Sequence, residues 1–329
     1  MKNNIKEMDR AIREIKRRDN FLITAHVDPE GDSIGSQLAM FYILKKLKKH
    51  VIMVDQDHVP ESLKFLASAS EIRTKFHGEI DPVTAVVLDC PVKERMGNVI
   101  DIFNRCEFVI NIDHHISNRF FGDVNWVDSS SSSAGEMIYH LAKRMHIRFD
   151  KDTAEAVYAA IMTDTGMFNY ENTKSDTHMV VADLIKTGVE PILMYKRLYE
   201  CKSPDQLRLL GRVLSSLTIE ECGLVSYISL TRATRKEMGL TNVPTDEFIN
   251  FPRSVKGSEV AMFFNENATS ENTVNVSFRS NGNIDVNAIA TKFGGGGHKK
   301  ASGCLMKGAF EEVKKKILTE VKNVVRNSR

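Results

Sequence analysis

The chain lacks the features that mark membrane proteins, secreted proteins and proteins that coat long nucleic acids. No apolar stretch approaches the roughly 20 residues that a membrane helix needs. Residues 1–18 are charged throughout, which is not typical of a secretory signal peptide. The 45 Lys and Arg residues nearly balance the 43 Asp and Glu residues, so no overall field attracts long nucleic acid. Any anion must therefore be bound at a local site.

Cysteine is also scarce, with five residues in 329. They are scattered, odd in number and without a CxxC pair: Cys90, Cys106, Cys201, Cys222 and Cys304. This pattern argues against a disulfide framework and predicts reduced, mostly buried thiols. We therefore expect a cytoplasmic protein with no membrane partner.

The length and the ordinary globular composition predict two domains. In the first half, apolar runs alternate with helical patterns such as Ile34–Lys48, and this rhythm predicts an α/β domain on a doubly wound parallel sheet. The strand candidates lie at residues 21–25, 50–55, 84–88 and 106–112. The serines of Ser129–Ser133 predict a loop and a helix N-cap. Helical patterns follow at Ala134–Met145, Thr153–Met162 and Thr177–Lys186.

The second half carries strand candidates next to one another without crossover helices, which predicts a smaller α/β domain with a mixed sheet. Strands are expected at Leu224–Leu230, Glu259–Asn265, Thr273–Arg279 and Ser302–Met306, and helices at Asp285–Phe293 and Phe310–Val325. We predict a catalytic domain over residues 1–190, a helical linker over 191–205 and a C-terminal domain over 206–329, with a helix break near Ser203. An amphipathic helix at the N-terminus is expected to bury Ile5, Met8, Ile12 and Ile15.

Side chains with metal-binding chemistry recur at the ends of predicted strands. The candidate ligands are His26, Glu30, Asp32, Asp89, Asp113, His114, His115 and Asp164. His26, Asp89 and Asp113 each follow an apolar run directly. Open α/β sheets place their ligand sites outside the carboxyl ends of the strands, so these residues converge if the strands are parallel.

The ligand set favours two ions over one. Even two of these histidines with four of these carboxylates carry more negative charge than one divalent ion needs. Two ions sharing a bridging carboxylate would balance that charge. Mixed imidazole and carboxylate ligands suit Mn²⁺, with Mg²⁺ or Co²⁺ as substitutes. Two such ions could activate a water and bind both the attacking and the leaving oxygen of a phosphoryl displacement. A calcium loop starting at Asp28 is excluded because Ser33 and Ala39 stand where that motif has Gly and Glu.

A glycine-rich stretch, Gly294–Gly297, precedes His298, Lys299 and Lys300. Gly294 can end the preceding helix in a left-handed conformation. Ending the helix needs only one glycine, so Gly295, Gly296 and Gly297 must have another role. Successive N–H groups without side chains form a concavity for an anion, and Arg279 could add a bidentate contact. We interpret the stretch as an anion site, with a flexible surface loop as the alternative.

These motifs resemble those of the DHH phosphoesterase superfamily. Asp113-His114-His115 and the separated ligands resemble the first domain of that family, and residues 293–304 resemble the glycine-rich motif of its associated C-terminal domain. Length and domain order resemble the branch of bifunctional nanoRNases and 3′-phosphoadenosine-5′-phosphate (pAp) phosphatases. The resemblance implies a Mn²⁺-dependent phosphoesterase with its active site in the cleft between the domains, and with pAp and short RNA or DNA oligonucleotides as substrates.

The resemblance also implies roles for single residues. One ion would be held by His26, Glu30 and Asp89, and the other by Asp32, Asp89, His114 and Asp164. Asp113 would support these ligands and His115 would face the substrate phosphate. Arg279, Gly295, Gly296, Gly297 and His298 would bind the substrate. The family usually has Asp where this chain has Glu30, so the first ion site departs from the pattern.

Two other functions remain open at the level of sequence. One is cleavage of cyclic dinucleotides or their linear products, and the other is a non-catalytic nucleotide sensor, for which only Glu30 argues. A long-strand exonuclease would need more nucleic-acid-binding surface than this charge balance offers. The preferred substrate, the cleavage polarity and the oligomeric state are left open, with a homodimer among the options.

Overall fold

Residues 2–78, 80–241 and 243–328 are described by a computed structural model of the chain. They form two compact units that meet in sequence between Cys201 and Lys202. Within the described residues, no helix combines the length and the apolar character needed to cross a bilayer.

The first unit is built on a six-stranded sheet in which each neighbouring pair of strands is parallel. The strands are Phe21–Thr24 (β1), Val51–Val54 (β2), Ile72–Arg73 (β3), Thr84–Leu88 (β4), Phe108–Asp113 (β5) and Val124–Val127 (β6). Their order, β3-β2-β1-β4-β5-β6, confirms the predicted doubly wound sheet. The sequence did not reveal β3 and β6, because β3 has two residues and β6 has only four, one of them Asn125.

Seven α-helices belong to the described part of this unit. They are Lys2–Arg17 (α1), Gly31–Lys46 (α2), Ile100–Phe103 (α3), Ala134–Arg144 (α4), Lys151–Asp164 (α5), Ser175–Lys186 (α6) and Pro191–Tyr199 (α7). Short 3₁₀ helices lie at Glu61–Leu63, Ala69–Glu71 and Lys93–Val99. Ser133 caps α4 by accepting a hydrogen bond from Glu136 N at 3.0 Å, as the serine run predicted.

Both faces of the first sheet are covered. Along β1, Phe21 and Ile23 pack into the larger apolar cluster, while Leu22 packs into a second cluster with Val87 and Phe103. Alternate residues of one strand therefore serve opposite faces, which explains why these strands are continuously apolar. The fold thus leaves the strand ends as the place for polar groups.

The N-terminal helix α1 covers part of this core with a face that differs from the prediction. Ile12 and Ile15 are buried together with Ala11, and Met8 is partly buried against the same cluster. Ile5 is 49% exposed, so its predicted burial is wrong. The buried face is centred on Ala11, Ile12 and Ile15, further along the helix than the pattern indicated.

The second unit has a mixed sheet, as predicted, and it contains six strands where the sequence offered four candidates. Its strands are Thr218–Glu220 (β7), Val225–Leu230 (β8), Val260–Glu266 (β9), Thr273–Ser280 (β10), Gly296–His298 (β11) and Ala301–Lys307 (β12). The order is β11-β12-β10-β9-β8-β7. β8 and β9 are parallel, and the other neighbouring pairs are antiparallel.

The helices of the second unit correct one expectation. They are Pro204–Leu214 (α8), Arg232–Met238 (α9), Asn250–Arg253 (α10), Val286–Lys292 (α11) and Phe310–Asn327 (α12), with 3₁₀ turns at Glu221–Gly223 and Asp246–Ile249. We expected no crossover helices between neighbouring strands of this sheet, yet α9 and α10 lie between β8 and β9. Parallel neighbours need such a crossover, and these two helices are too short for a periodic pattern.

The stretch between the units is helical and broken where Ser203 and Pro204 predicted. Met194 and Leu198 of α7 pack into the core of the first unit. Leu209 and Val213 of α8 pack into an apolar cluster of the second unit. The two helices therefore belong to different cores.

The cysteines whose side chains are described are free thiols. Cys90 and Cys304 are buried, Cys106 is half-buried and Cys201 is exposed. The side chain of Cys222 lies outside the described residues. These four side chains form no disulfide with one another, and the expected burial holds for only two of them.

Candidate active site

The candidate site lies at the carboxyl edge of the first sheet. His26 follows β1 and Asp89 follows β4, and these neighbouring strands form the point where the strand order reverses. Asp113 is the last residue of β5, and His114 and His115 come directly after it. In doubly wound folds the crevice for ligands opens at this reversal point. The predicted convergence of strand-end residues is therefore observed.

Helices α2 and α5 bring two further carboxylates to this edge. Asp32 lies in the first turn of α2 and Asp164 ends α5. The two helices approach so closely that a Cβ on Gly31 would collide with the Thr163 side chain. Glycine is therefore needed at this position so that the start of α2 can pack against the end of α5.

Asp32 is fully buried and is held by the N-terminus of α4. Its carboxylate accepts hydrogen bonds from Ala134 N at 2.7 Å and Gly135 N at 2.9 Å. These are the first N–H groups of α4, where the helix dipole favours a negative charge. Gly135 has to lack a side chain, because a Cβ there would collide with Ala160 of α5.

His114 is surrounded by carboxylates. Its Nε2 lies 3.5 Å from Asp89 Oδ1, 3.6 Å from Asp32 Oδ2 and 3.7 Å from Asp164 Oδ2. Asp32, His114 and Asp164 can each direct one ligand atom to a common point. Sequence reasoning predicted all three, and the structure brings them together.

A second group forms beside the first. His26 Nε2 lies 3.4 Å from Asp89 Oδ2, and His26, Glu30 and Asp89 each offer a ligand atom to one point. Glu30 is exposed, whereas His26 and Asp89 are buried. Asp89 belongs to this group, and its Oδ1 lies 3.5 Å from His114 Nε2 of the first group, so Asp89 lies between the two.

The donor set can be tested on Asp89 itself. Asp89 is 1% exposed, its backbone is left-handed with φ of 50°, and among the described residues neither carboxylate oxygen has a hydrogen bond of good geometry. The nearest donors are imidazole nitrogens of His26, His114 and His115 at 3.4–3.5 Å. A buried carboxylate without a well-placed donor is costly, and strained residues are concentrated at ligand sites. Divalent cations at the two groups would satisfy both oxygens, so these residues fit a pair of metal ions.

Without a metal, bound protons neutralise part of the negative charge of the clustered carboxylates. Burial opposes protonation of His26, but the Asp89 carboxylate outweighs it and raises the pKa of His26 to about 9. Burial raises the pKa of Asp164 to about 7, although His114 opposes that rise. Burial also disfavours the charged form of His114, yet Asp164 and Asp89 raise its pKa well above the ordinary value. The cluster attracts cations, and bound protons and metal ions compete for the same atoms.

Asp113 is held by hydrogen bonds to its neighbours, although Asp89, Asp113 and His115 also form a group that could hold a metal ion. Asp113 Oδ1 accepts hydrogen bonds from His114 N at 2.9 Å and His115 Nδ1 at 2.7 Å. Asp113 Oδ2 accepts from Asn118 Nδ2 at 2.6 Å, and the same amide also donates to Asn111 Oδ1 at 2.8 Å. Asp113 therefore orients His115, within a network that our sequence analysis did not include. A polar Asn111 in a buried strand was the available signal.

Asp55 is another residue that the sequence analysis missed. It follows β2 as Asp89 follows β4, and it is 1% exposed. Its carboxylate accepts hydrogen bonds from Ala25 N at 3.0 Å and Gln37 Nε2 at 2.7 Å. Asp55 therefore fixes the backbone just before His26, and its oxygens are already occupied by protein donors.

In the second unit, Arg279 and His298 lie in one row across the sheet. Both pair with Ala301, Arg279 from β10 and His298 from β11, so the side chains of this row share a face. Arg279 Nη1 donates to Phe278 O at 3.0 Å, while buried Nε has no acceptor among the described residues. An arginine with an unsatisfied N–H suits an anion.

The glycine run is not the open loop that the sequence suggested. Gly294 ends α11 with φ of 76°, as predicted, and Gly295 N donates to Ala290 O at 2.9 Å. Gly296–His298 form the edge strand β11. A Cβ on Gly295 or Gly297 would collide with the backbone of β12, so close strand packing explains part of the run.

Comparison with known proteins gives matches over both units. The DHH family, N-terminal domain, matches residues 20–161, and the DHHA1 domain matches residues 223–327. The bifunctional oligoribonuclease and PAP phosphatase NrnA of Thermus thermophilus is 34% identical over 305 residues, which cover 91% of this chain and 89% of that protein. The NrnA of Bacillus subtilis is 30% identical over 298 residues, which cover 89% and 91%.

A solved structure supports the same fold. The exopolyphosphatase-related protein from Bacteroides fragilis superposes with a TM-score of 0.88 at 26% identity, covering 98% of each chain. The match extends over both units of the present chain.

Proposed function

The chain belongs to the DHH family, and from that premise we propose that it is a Mn²⁺-dependent phosphoesterase that hydrolyses short oligonucleotides and pAp. The observation that carries the proposal is Asp89, a buried carboxylate with no well-placed hydrogen-bond donor for either oxygen among the described residues, between two groups of ligands. Relatives at 34% and 30% identity are named as oligoribonucleases and PAP phosphatases, which supports these substrates.

We assign one ion to His26, Glu30 and Asp89, and the other to Asp32, Asp89, His114 and Asp164. The groups His26, Glu30, Asp89 and Asp32, His114, Asp164 support this division, and the 3.5 Å distance from Asp89 Oδ1 to His114 Nε2 supports the shared role of Asp89. Nitrogen and carboxylate donors without thiolates suit Mn²⁺, with Mg²⁺ or Co²⁺ as substitutes. Bound ions would stabilise negative charge on the phosphoryl oxygens and lower the pKa of a water molecule.

The protein itself supplies orientation. Asp113 engages Nδ1 of His115, so His115 contacts the substrate phosphate through Nε2. The unsatisfied Nε of Arg279, and the place of His298 in the same row of the second sheet, support our assignment of both residues to binding an anionic group of the substrate. Gly295, Gly296 and Gly297 act mainly by keeping β11 close to β12. The cytoplasmic location and the homodimer remain predictions.

The test is a substrate panel at equal concentration with Mn²⁺. It contains pAp, RNA and DNA dinucleotides, and a cyclic dinucleotide. We expect turnover of pAp and the linear dinucleotides that stops with EDTA and returns best with Mn²⁺. Full activity in EDTA overturns the metal assignment. Faster turnover of the cyclic dinucleotide would favour the alternative phosphodiesterase, and binding without turnover of any substrate would favour a nucleotide sensor.

Variants locate the two ions. Asp89→Asn should lower kcat by orders of magnitude, because removing the shared ligand disturbs both ions, and His114→Ala should do so by removing a ligand of one ion. Glu30→Asp should retain activity, while Glu30→Gln should weaken one Mn²⁺ site. Asp28→Asn is the matched control, since Asp28 is an exposed carboxylate on the same loop. If Glu30→Gln titrates with Mn²⁺ like Asp28→Asn, Glu30 is not a ligand.

A further inference from the structure

The loop that follows His115 exposes two large apolar side chains beside the candidate site. Ile116 is 78% exposed, the highest value among the large apolar residues described, and Phe120 is 63% exposed. Single exposed apolar residues are common, but here two of them lie within five residues of one loop. The loop begins directly after His115.

This loop is firmly held at both ends. Asn118 is buried and donates to Asp113 Oδ2, and Arg119 N donates to Pro91 O at 2.9 Å, two residues after Asp89. On the far side, Phe121 packs edge-on against Phe103 with ring centroids 6.4 Å apart. Phe120 lies between these anchors, so its exposure is imposed by a fixed backbone.

Phe120 also carries backbone strain. Its φ is 52°, a left-handed conformation that is uncommon for a bulky residue, and Phe120 N donates to Asn118 Oδ1 at 2.7 Å. The side chain of Asn118 thus holds Asp113 through its amide nitrogen and Phe120 through its oxygen. Strain held in place next to a site is typical of ligand-positioning segments.

We propose that Phe120, which shares its loop with exposed Ile116, is a stacking platform for a nucleobase of the substrate. The inference rests on the proposed function and extends it. A phenyl ring stacks on the flat face of any base and reads none of its hydrogen-bonding groups. The platform therefore selects substrates that carry a base near the scissile phosphate, whatever that base is.

The experiment compares kcat/KM with Mn²⁺ for a 5′-phosphorylated adenylyl dinucleotide, its two abasic analogues that each lack one base, and the matching cytidylyl dinucleotide. Phe120→Ala should lower kcat/KM roughly tenfold on both complete dinucleotides, and Phe120→Trp should restore it. On the analogue that lacks the stacked base, Phe120→Ala should have no further effect. Ile192→Ala is the control, as Ile192 is 64% exposed in α7, away from the loop.

Two outcomes overturn the platform. One is unchanged kcat/KM for Phe120→Ala on the complete dinucleotides, and the other is an equal loss on both abasic analogues. Calorimetric titration of the adenylyl dinucleotide separates this test from that of the proposed function. Wild-type protein that hydrolyses nothing refutes the proposed function, and the platform is then judged by whether Phe120→Ala weakens dinucleotide binding.

Discussion

Asp89 and Asp55 show what a residue's place in the sequence can and cannot predict. Each ends an apolar strand, and each is buried. Asp55 is satisfied by Ala25 N and Gln37, whereas Asp89 has no well-placed donor among the described residues. The strand-end pattern predicts that a carboxylate reaches the sheet edge. Which donors meet it there depends on packing between distant segments, and the sequence does not reveal that.

At the same scale, His26 makes the metal-free protein sensitive to pH. Its folded pKa of about 9 exceeds the ordinary 6.5, so its stabilising effect is complete below pH 6.5 and is lost as the pH rises to about 9. The upper limit of this contribution to the unfolding free energy is about 3 kcal/mol, because a difference of one in pKa corresponds to about 1.36 kcal/mol. In EDTA, the urea concentration at the unfolding midpoint of the first unit should therefore decrease as the pH rises from 6.5 to 9. Because Mn²⁺ displaces the same proton, its affinity should rise over that range.

His26→Gln should flatten this pH dependence. His50→Gln is the matched control, because His50 lies 3.1 Å from Asp19 in an exposed pair that solvent screens. A urea midpoint that is constant or rises between pH 6.5 and 9 in the wild type would contradict the assignment.

At the scale of elements, the buried apolar strands and most of the long helices could be predicted from the sequence, whereas several of the shortest elements could not. β3, β11 and α10 have two, three and four residues, which is too few for a repeating pattern. The glycine run shows a further limit. Its composition indicated an anion loop, but Gly295 and Gly297 also allow β11 to pack against β12. Composition alone cannot separate close packing from ligand binding.

The contact between α4 and α5 gives a prediction at this scale. Gly135→Ala would drive a Cβ into Ala160, and such overpacking costs about 1–3 kcal/mol. It would also move the two N–H groups that hold Asp32, so Mn²⁺ affinity should fall together with the unfolding free energy. Chemical denaturation and Mn²⁺ titration measure the two effects.

Gly211→Ala is the control for this substitution. Gly211 lies in α8, and a Cβ there would meet no atom within 4 Å. Alanine should therefore stabilise that helix by up to about 1 kcal/mol without changing metal binding. Unchanged Mn²⁺ affinity in Gly135→Ala would show that α4 does not position Asp32.

At the scale of the whole molecule, the two-unit α/β organisation was predictable because the two halves of the chain differ in the order of their helices and strands. Strands alternate with helices in the first half and cluster in the second. The candidate ligands in the first unit come together as predicted, and Arg279 shares a sheet row with His298 in the second. The Asn111–Asn118 network could not be predicted, since it depends on side-chain contacts across the loop.

The charge balance of the chain sets an expected limit on substrate length. With 45 basic and 43 acidic residues, extra nucleotides gain little electrostatic attraction. The value of kcat/KM should be highest for RNAs of a few nucleotides and should not rise beyond about ten nucleotides. Single-length RNAs from two to about 25 nucleotides test this. A steady rise with length would favour a processive exonuclease.

The short outer strands of both sheets have a consequence for behaviour in concentrated solution. β3 has two residues, β7 and β11 have three each, and β6 is followed along its side by α1, where Trp126 Nε1 donates to Asn4. A long bare edge would recruit strands from other copies, and a net charge of +2 gives little repulsion against that. Edge strands that are short or covered by a helix leave few backbone groups free for such pairing, so the fold itself disfavours aggregation.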